Sequence, residues 1–301
     1  MTPSERAPSE PQSCILENGS LRFTARSLGT DPTVLLLHGF PDTECSFDLQ
    51  LPALAAAGYR AIAVRMRGYE PQSQPADGDY HAAAMASDVI AWIDGLGTDR
   101  VHLVGHDWGS IVAQAAVAMA PGRFRSLAIL AVPRLRPLAR LIRTDKAQRR
   151  RSLYGLFFQW RGVSDFWVRW RNFAYLERLW RRWSPAWVPP PATFAGVRAV
   201  FRAPGVVRAA LSYYRQGSDH RSSAGRHSAK LLAIPLTVPV LGLCGERDGC
   251  IGTDIFRQSM PASDFPAGHD ICEVADAGHF LHQERPQEVN RLLLTWITAH
   301  D

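Results

Sequence analysis

Asp107 stands in the run Val104-Gly105-His106-Asp107-Trp108-Gly109, between one apolar stretch, Val101–Val104, and another, Ser110–Met119. A strand, a tight Gly-x-Asp-x-Gly turn and a helix would raise that side chain at the end of a sheet, in the position where nucleophile elbows usually carry serine. A carboxylate is ionised at pH 7 without assistance. It can displace a leaving group from saturated carbon, and the carbonyl of the resulting ester belongs to the protein, where water can hydrolyse it. That chemistry opens an epoxide or removes a halide rather than cleaving an ordinary ester.

Such a cycle needs a base, an acid to orient it, and an oxyanion hole. His279, in Asp276-Ala277-Gly278-His279-Phe280, follows an apolar run and is the candidate base for water. Asp248, in Gly245-Glu246-Arg247-Asp248-Gly249, follows another and would fix the histidine tautomer and stabilise the imidazolium. Glu246 competes for that role. The order nucleophile, acid, histidine is the one that strand–elbow–helix hydrolases show. The oxyanion donors would be the Trp108 N–H and the Phe40 N–H of His38-Gly39-Phe40-Pro41, since Pro41 has none and Gly39 permits a tight turn. His38 and His106 are expected to brace the elbow through the backbone. His38, Phe40, Trp108 and Phe280 are also the candidate substrate-lining residues, and His282 is expected on a helix surface. Singly, each is a weak signal, because an aspartate in a glycine turn is commonly only a cap. The signal is their joint occurrence, each after its own strand and in order.

Short apolar runs at Val34–Leu37, Ala61–Val64, Val101–Val104, Leu127–Leu130, Val238–Leu243 and Ile271–Val274 read as strands of a parallel sheet. Asn18-Gly19 between two extended runs reads as a hairpin. Helical spacing over Ala82–Leu96, after Gly109 and over Pro286–Thr298 supplies covering helices. The pattern breaks at Pro133. From Arg134 to Leu232 the chain carries 21 Lys and Arg against 4 Asp and Glu, so a net +6 for the whole chain hides a strongly basic module within an acidic remainder. This module is read as helical and holds six of the nine tryptophans: Trp160, Trp167, Trp170, Trp180, Trp183 and Trp187. The expected organisation is a core of residues 1–133 and 233–301, with 1–12 a disordered tail, and a helical lid of 134–232 inserted after the sixth strand. Five scattered cysteines without CxxC spacing argue against a disulfide framework or a metal site. No run approaches the roughly 18 apolar residues that span a bilayer, and the first residues lack the apolar core of a signal peptide, so a cytoplasmic location is expected.

An epoxide oxygen becomes an alkoxide on opening and needs acidic hydrogen-bond donors, a role that tyrosine, with a pKa of about 10, can fill while neutral. The chain resembles the α/β-hydrolase-fold epoxide hydrolases from about Leu21 onward, through His38-Gly39-Phe40-Pro41, Arg67-Gly68-Tyr69, Gly105-His106-Asp107-Trp108-Gly109, Glu246-Arg247-Asp248 and Gly278-His279-Phe280. The resemblance implies an α/β-hydrolase fold with a mostly parallel eight-stranded sheet. It implies two lid tyrosines that hold the epoxide oxygen, matched by Tyr154 in Tyr154-Gly155-Leu156-Phe157-Phe158-Gln159 and by Tyr214 in Tyr213-Tyr214-Arg215, with Tyr213 as the alternative. The chain departs from the pattern at Arg65, where the family often has an acid. The implied reaction is epoxide to vicinal diol, with water as co-substrate and no metal or organic cofactor.

Haloalkane dehalogenases share the elbow and the Asp107-Trp108 pair, and the many lid tryptophans keep that chemistry open. A non-catalytic ligand-binding protein on a hydrolase scaffold is the reading that a turnover assay separates. No motif points to nucleic acid, and a homodimer is admitted. Alternating Arg and Trp, as in Trp167-Val168-Arg169-Trp170-Arg171, would suit a membrane surface. The preferred expectation packs the tryptophans on the pocket or core and turns the arginines to solvent.

Overall fold

A computed structural model describes residues 10–301. Most of the expected tail lies outside the described residues; its last member, Gln12, already opens the first strand.

The chain builds one eight-stranded sheet in the order β1-β2-β4-β3-β5-β6-β7-β8. Its strands are β1 (Gln12–Asn18), β2 (Leu21–Leu28), β3 (Thr33–Leu37), β4 (Arg60–Val64), β5 (Val101–His106), β6 (Phe124–Leu130), β7 (Val240–Gly245) and β8 (His269–Val274). The β1–β2 hairpin turns at Asn18-Gly19, where Gly19 takes φ +59°, and β2 runs antiparallel to β4. Every other neighbour is parallel.

Side-chain alternation divides the core into two layers. Leu35, Leu37, Ile62 and Val64 point to one face, and Val34, Leu36, Ala61 and Ala63 to the other. Both faces are covered, which is why these strands read as continuous apolar runs rather than alternating ones. The first face packs on α2 (Ala82–Gly95) and α3 (Trp108–Met119), the second on α1 (Leu51–Ala56) and α13 (Pro286–Thr298).

Between β6 and β7 lie seven helices: α4 (Leu135–Thr144), α5 (Lys146–Arg151), α6 (Leu153–Phe157), α7 (Val163–Trp183), α8 (Pro191–Arg202), α9 (Val206–Gly217) and α10 (Ser223–Leu231). Pro191 opens α8, where its missing N–H costs no hydrogen bond. In α7 the helical path breaks, with Arg171, Asn172 and Phe173 all at positive φ. Two short helices, α11 (Thr253–Gln258) and α12 (Leu281–Glu284), flank the last strands. Among the described residues no helix is long and apolar enough to cross a membrane.

The tryptophans divide. Trp180 and Trp183 are buried against the core as expected, and Trp187 stacks on Trp180. Trp160, Trp167 and Trp170 are exposed, contrary to that expectation, because the outer face of α6 and the first half of α7 has no element packed over it.

Candidate active site

The parallel strands end together, so the loops after β3, β5, β7 and β8 meet at the carboxyl edge of the sheet, where open α/β sheets hold ligands. Asp107 occupies the turn between β5 and α3 at φ 51°, ψ −117°, a conformation that non-glycine residues rarely adopt and that costs on the order of 1–3 kcal/mol. The surroundings enforce it. A Cβ on Gly109 would collide with the Leu37 carbonyl, and one on Gly39 would collide with Asp107 itself, so both neighbours must be glycine for the elbow to close.

The Phe40 N–H donates to Asp107 Oδ1 at 2.8 Å, and Asp107 Oδ2 lies 3.4 Å from His279 Nε2. His279 Nδ1 donates to Asp248 Oδ2 at 2.9 Å, while Asp248 Oδ1 accepts from the N–H groups of Cys250 (2.6 Å) and Ile251 (3.0 Å). All three side chains are buried. Glu246 is exposed and accepts from the Asp276 N–H, away from the histidine. Burial alone would lower the His279 pKa, but Asp248 and Asp107 outweigh it and raise the pKa to about 10. The resting imidazole is therefore a cation held between two carboxylates.

Above this line sit the tyrosines. The Tyr154 hydroxyl lies 3.4 Å from Cys250 Sγ, and its ring meets that of Tyr214 edge-on at 5.7 Å. Tyr214 packs edge-on against Trp108 and Phe40, and its buried hydroxyl has no hydrogen-bond partner among the described residues. Burial, reinforced by Cys250 and Asp107 for Tyr154 and by Tyr154 and Asp107 for Tyr214, holds both phenols well above their ordinary pKa. They stay protonated and keep an O–H to donate. Tyr213 faces elsewhere: its hydroxyl donates to the Arg67 carbonyl at 2.6 Å.

The expected lining residues separate. Phe40 and Trp108 pack around Tyr214. Phe280 stacks behind the histidine on Trp180, with ring centroids 4.3 Å apart. His38 offers the site no polar atom: Nδ1 donates to the Gly39 carbonyl at 2.9 Å, and Nε2 accepts from the Met66 N–H at 3.0 Å. Burial lowers its pKa to about 4, so it is a neutral brace rather than a substrate contact. His106 is another brace, donating from Nε2 to the His279 carbonyl at 2.9 Å. His282, expected at a surface, is fully buried against His106 and Phe47, because α12 turns inward beneath the histidine loop. Asp42, His106 and His282 have ligand-type atoms within 4.8 Å of one another. Asp42 already accepts from Thr43 and Gln283, so this group ties the loop after β3 to α12. Arg65, where the resemblance leads one to expect an acid, pairs with Glu44, and Arg67 forms a buried two-pronged pair with Asp88.

Several supports left no local signal in the sequence. The Trp183 carbonyl accepts from the N–H groups of both Gly249 (2.9 Å) and His279 (3.1 Å), so the end of α7 holds the acid loop and the base loop together. Ser184 Oγ accepts from the His279 N–H at 3.0 Å and donates to Glu284 at 2.6 Å. Glu284 in turn accepts from the N–H groups of Gly278 and Phe280. Only Glu284 could have been suspected, as a carboxylate four residues beyond Phe280 at the start of a short helix.

The sequence matches the model of the alpha/beta hydrolase family over residues 34–292. The chain belongs to that family. It is similar to Epoxide hydrolase 3 of Siraitia grosvenorii, 29% identical with 91% of this chain and 94% of the relative covered. It is also similar to Epoxide hydrolase A of Mycobacterium tuberculosis, 29% identical with 96% and 98% covered. Among solved structures it resembles Epoxide Hydrolase A from Mycobacterium thermoresistibile, with TM-score 0.79, 26% identity, and 97% and 99% of the two chains covered. This hydrolase is thus similar to proteins of that name over nearly its whole length.

Proposed function

We propose that this hydrolase converts an epoxide to a vicinal diol through a covalent ester on Asp107, with residues 134–232 acting as a cap over the core formed by the sheet and its covering helices. The observation that carries the reading is the placement of Asp107, with one carboxylate oxygen on the Phe40 N–H and the other beside His279, together with two protonated phenols close by, Tyr214 packed on Phe40 and Trp108 and Tyr154 on Tyr214. The names of the similar proteins support it.

Asp107 Oδ2 attacks an epoxide carbon and the C–O bond breaks. The departing oxygen takes a proton from the Tyr154–Tyr214 pair. Esterification removes the Asp107 charge, one of the two that keep His279 protonated. The imidazolium then returns its proton to the phenolate and becomes a base. Neutral His279, oriented by Asp248, takes a proton from water as the water oxygen adds to the Asp107 carbonyl carbon. The oxyanion forms on Oδ1, against the Phe40 N–H, with the Trp108 N–H as the second expected donor. Collapse expels the diol, regenerating carboxylate and imidazolium. The chemistry requires no cofactor.

The test is to trap the ester. His279→Gln incubated with a small epoxide should accumulate an Asp107 adduct in the mass spectrum; no adduct, together with an active Asp107→Ala enzyme, would refute the mechanism. A second reading, halide displacement by the same carboxylate, draws on Trp183, whose buried indole N–H is unpartnered and whose ring lies 5.1 Å from that of His279. Matched panels of epoxides and haloalkanes, assayed for diol and for halide release, separate the two.

A further inference from the structure

We propose that the outer face of α6 and the first half of α7 docks on an anionic lipid bilayer. Leu153, Leu156, Trp160, Val163, Trp167 and Trp170 follow one another at intervals of three and four residues and are between 45 and 66% exposed. Phe166, 55% exposed, joins them, with its ring 5.2 Å from Trp170 and 6.2 Å from Trp167. A run of large apolar side chains this continuous is not the scattered surface hydrophobicity of an ordinary monomer.

Charge identifies the occupant. From Lys146 to Leu176 the chain holds seven basic residues and one acid, Asp165, which Arg215 already neutralises at 2.5 Å. Arg161, Arg169 and Arg171 are exposed and have no ion-pair partner among the described residues. A second copy of this face would set Arg161, Arg169 and Arg171 against the same three cations. A sheet of lipid phosphates instead offers counter-charge to the arginines and an interfacial layer for the indoles, which favour the headgroup level. The surface is also the back of the helix that carries Tyr154, so the docked molecule would hold its candidate site close to the bilayer.

The experiment is co-sedimentation of the full chain with phosphatidylcholine vesicles and with phosphatidylcholine–phosphatidylglycerol vesicles, at low and high salt. Binding should favour the anionic vesicles by at least about tenfold at low salt and fall steeply at high salt. Brominated lipid in the same vesicles should quench the tryptophan fluorescence of the unmodified protein. The Trp160→Ser/Phe166→Ser/Trp167→Ser variant should lose at least about tenfold in binding while keeping its unfolding temperature and its turnover of a water-soluble substrate. An unmodified protein that stays in the supernatant with anionic vesicles overturns the proposal, as does a variant that binds equally well. A dimer that sedimentation equilibrium shows in the unmodified chain and that the variant abolishes would also overturn it, by assigning the face to a second copy.

Discussion

Replacing Asp107 by Asn should turn His279 from a resting cation into an ordinary histidine. The two residues are 3.4 Å apart and buried. At an effective dielectric of about 20, a unit charge at that separation is worth about 5 kcal/mol, or between three and four pH units on the histidine. Starting from a pKa of about 10, removal of the Asp107 charge should bring His279 close to neutrality, with Asp248 still balancing its burial. The assay is a proton NMR titration of the His279 ring in both proteins. The unmodified enzyme should show no inflection between pH 6 and about 9, whereas Asp107→Asn should titrate near 7. Stability carries the same signature. The folded pKa lies above the ordinary value of 6.5, so the imidazolium adds stability that is fully present below that value and is lost as pH rises through about 10. A histidine that titrates near 6.5 in the unmodified enzyme, or above 9 in Asp107→Asn, would refute the idea that esterification itself switches His279 from cation to base.

Tyr154→Phe and Tyr214→Phe should each lower kcat for an epoxide by about a hundredfold or more, and the double variant should abolish opening; a fully active double variant favours the halide reading. Arg67→Met should destabilise the fold by about 3–5 kcal/mol in denaturant titration, because Asp88 would remain buried with only Asn18 to serve it. Ser184→Ala should cost only about 0.5–1.5 kcal/mol, because the His279 N–H keeps the Trp183 carbonyl and Glu284 keeps the Gly278 and Phe280 N–H groups, but it should reduce kcat more than it raises KM; unchanged kinetics would show that the serine does not position the base.

What was legible in the sequence follows from locality. Each of β3 to β7 is a run of five to seven residues whose burial on both faces leaves an apolar signature, and the elbow needs glycines at fixed offsets because the Leu37 carbonyl crowds Gly109 and the Gly109 backbone crowds Gly105. That Tyr213 and Tyr214 face different surroundings was also readable, since adjacent helical residues point about 100° apart. His282 was misread because α12 is a single turn, too short for a helical pattern to reveal which side is buried. The exposed tryptophans were misread because composition cannot tell a stripe that packs from one that does not. The Trp183 carbonyl and Ser184 Oγ contacts span 66 and 95 residues of chain, and a backbone acceptor has no residue type to betray it.

The double hydrogen bond at the Trp183 carbonyl bears on how such enzymes can be recombined. Residues 134–232 look exchangeable: they leave the sheet after β6 and return before β7. Yet one carbonyl inside that insertion fastens the loops of both Asp248 and His279. A cap grafted from a relative whole would carry its own fastening point to a foreign acid and base, set by a different helix length. Chimeras that change substrate range should therefore exchange sequence on the N-terminal side of Trp183 and keep Trp183-Ser184 with the core. The unit of inheritance in this architecture is the sheet together with the last turn of α7.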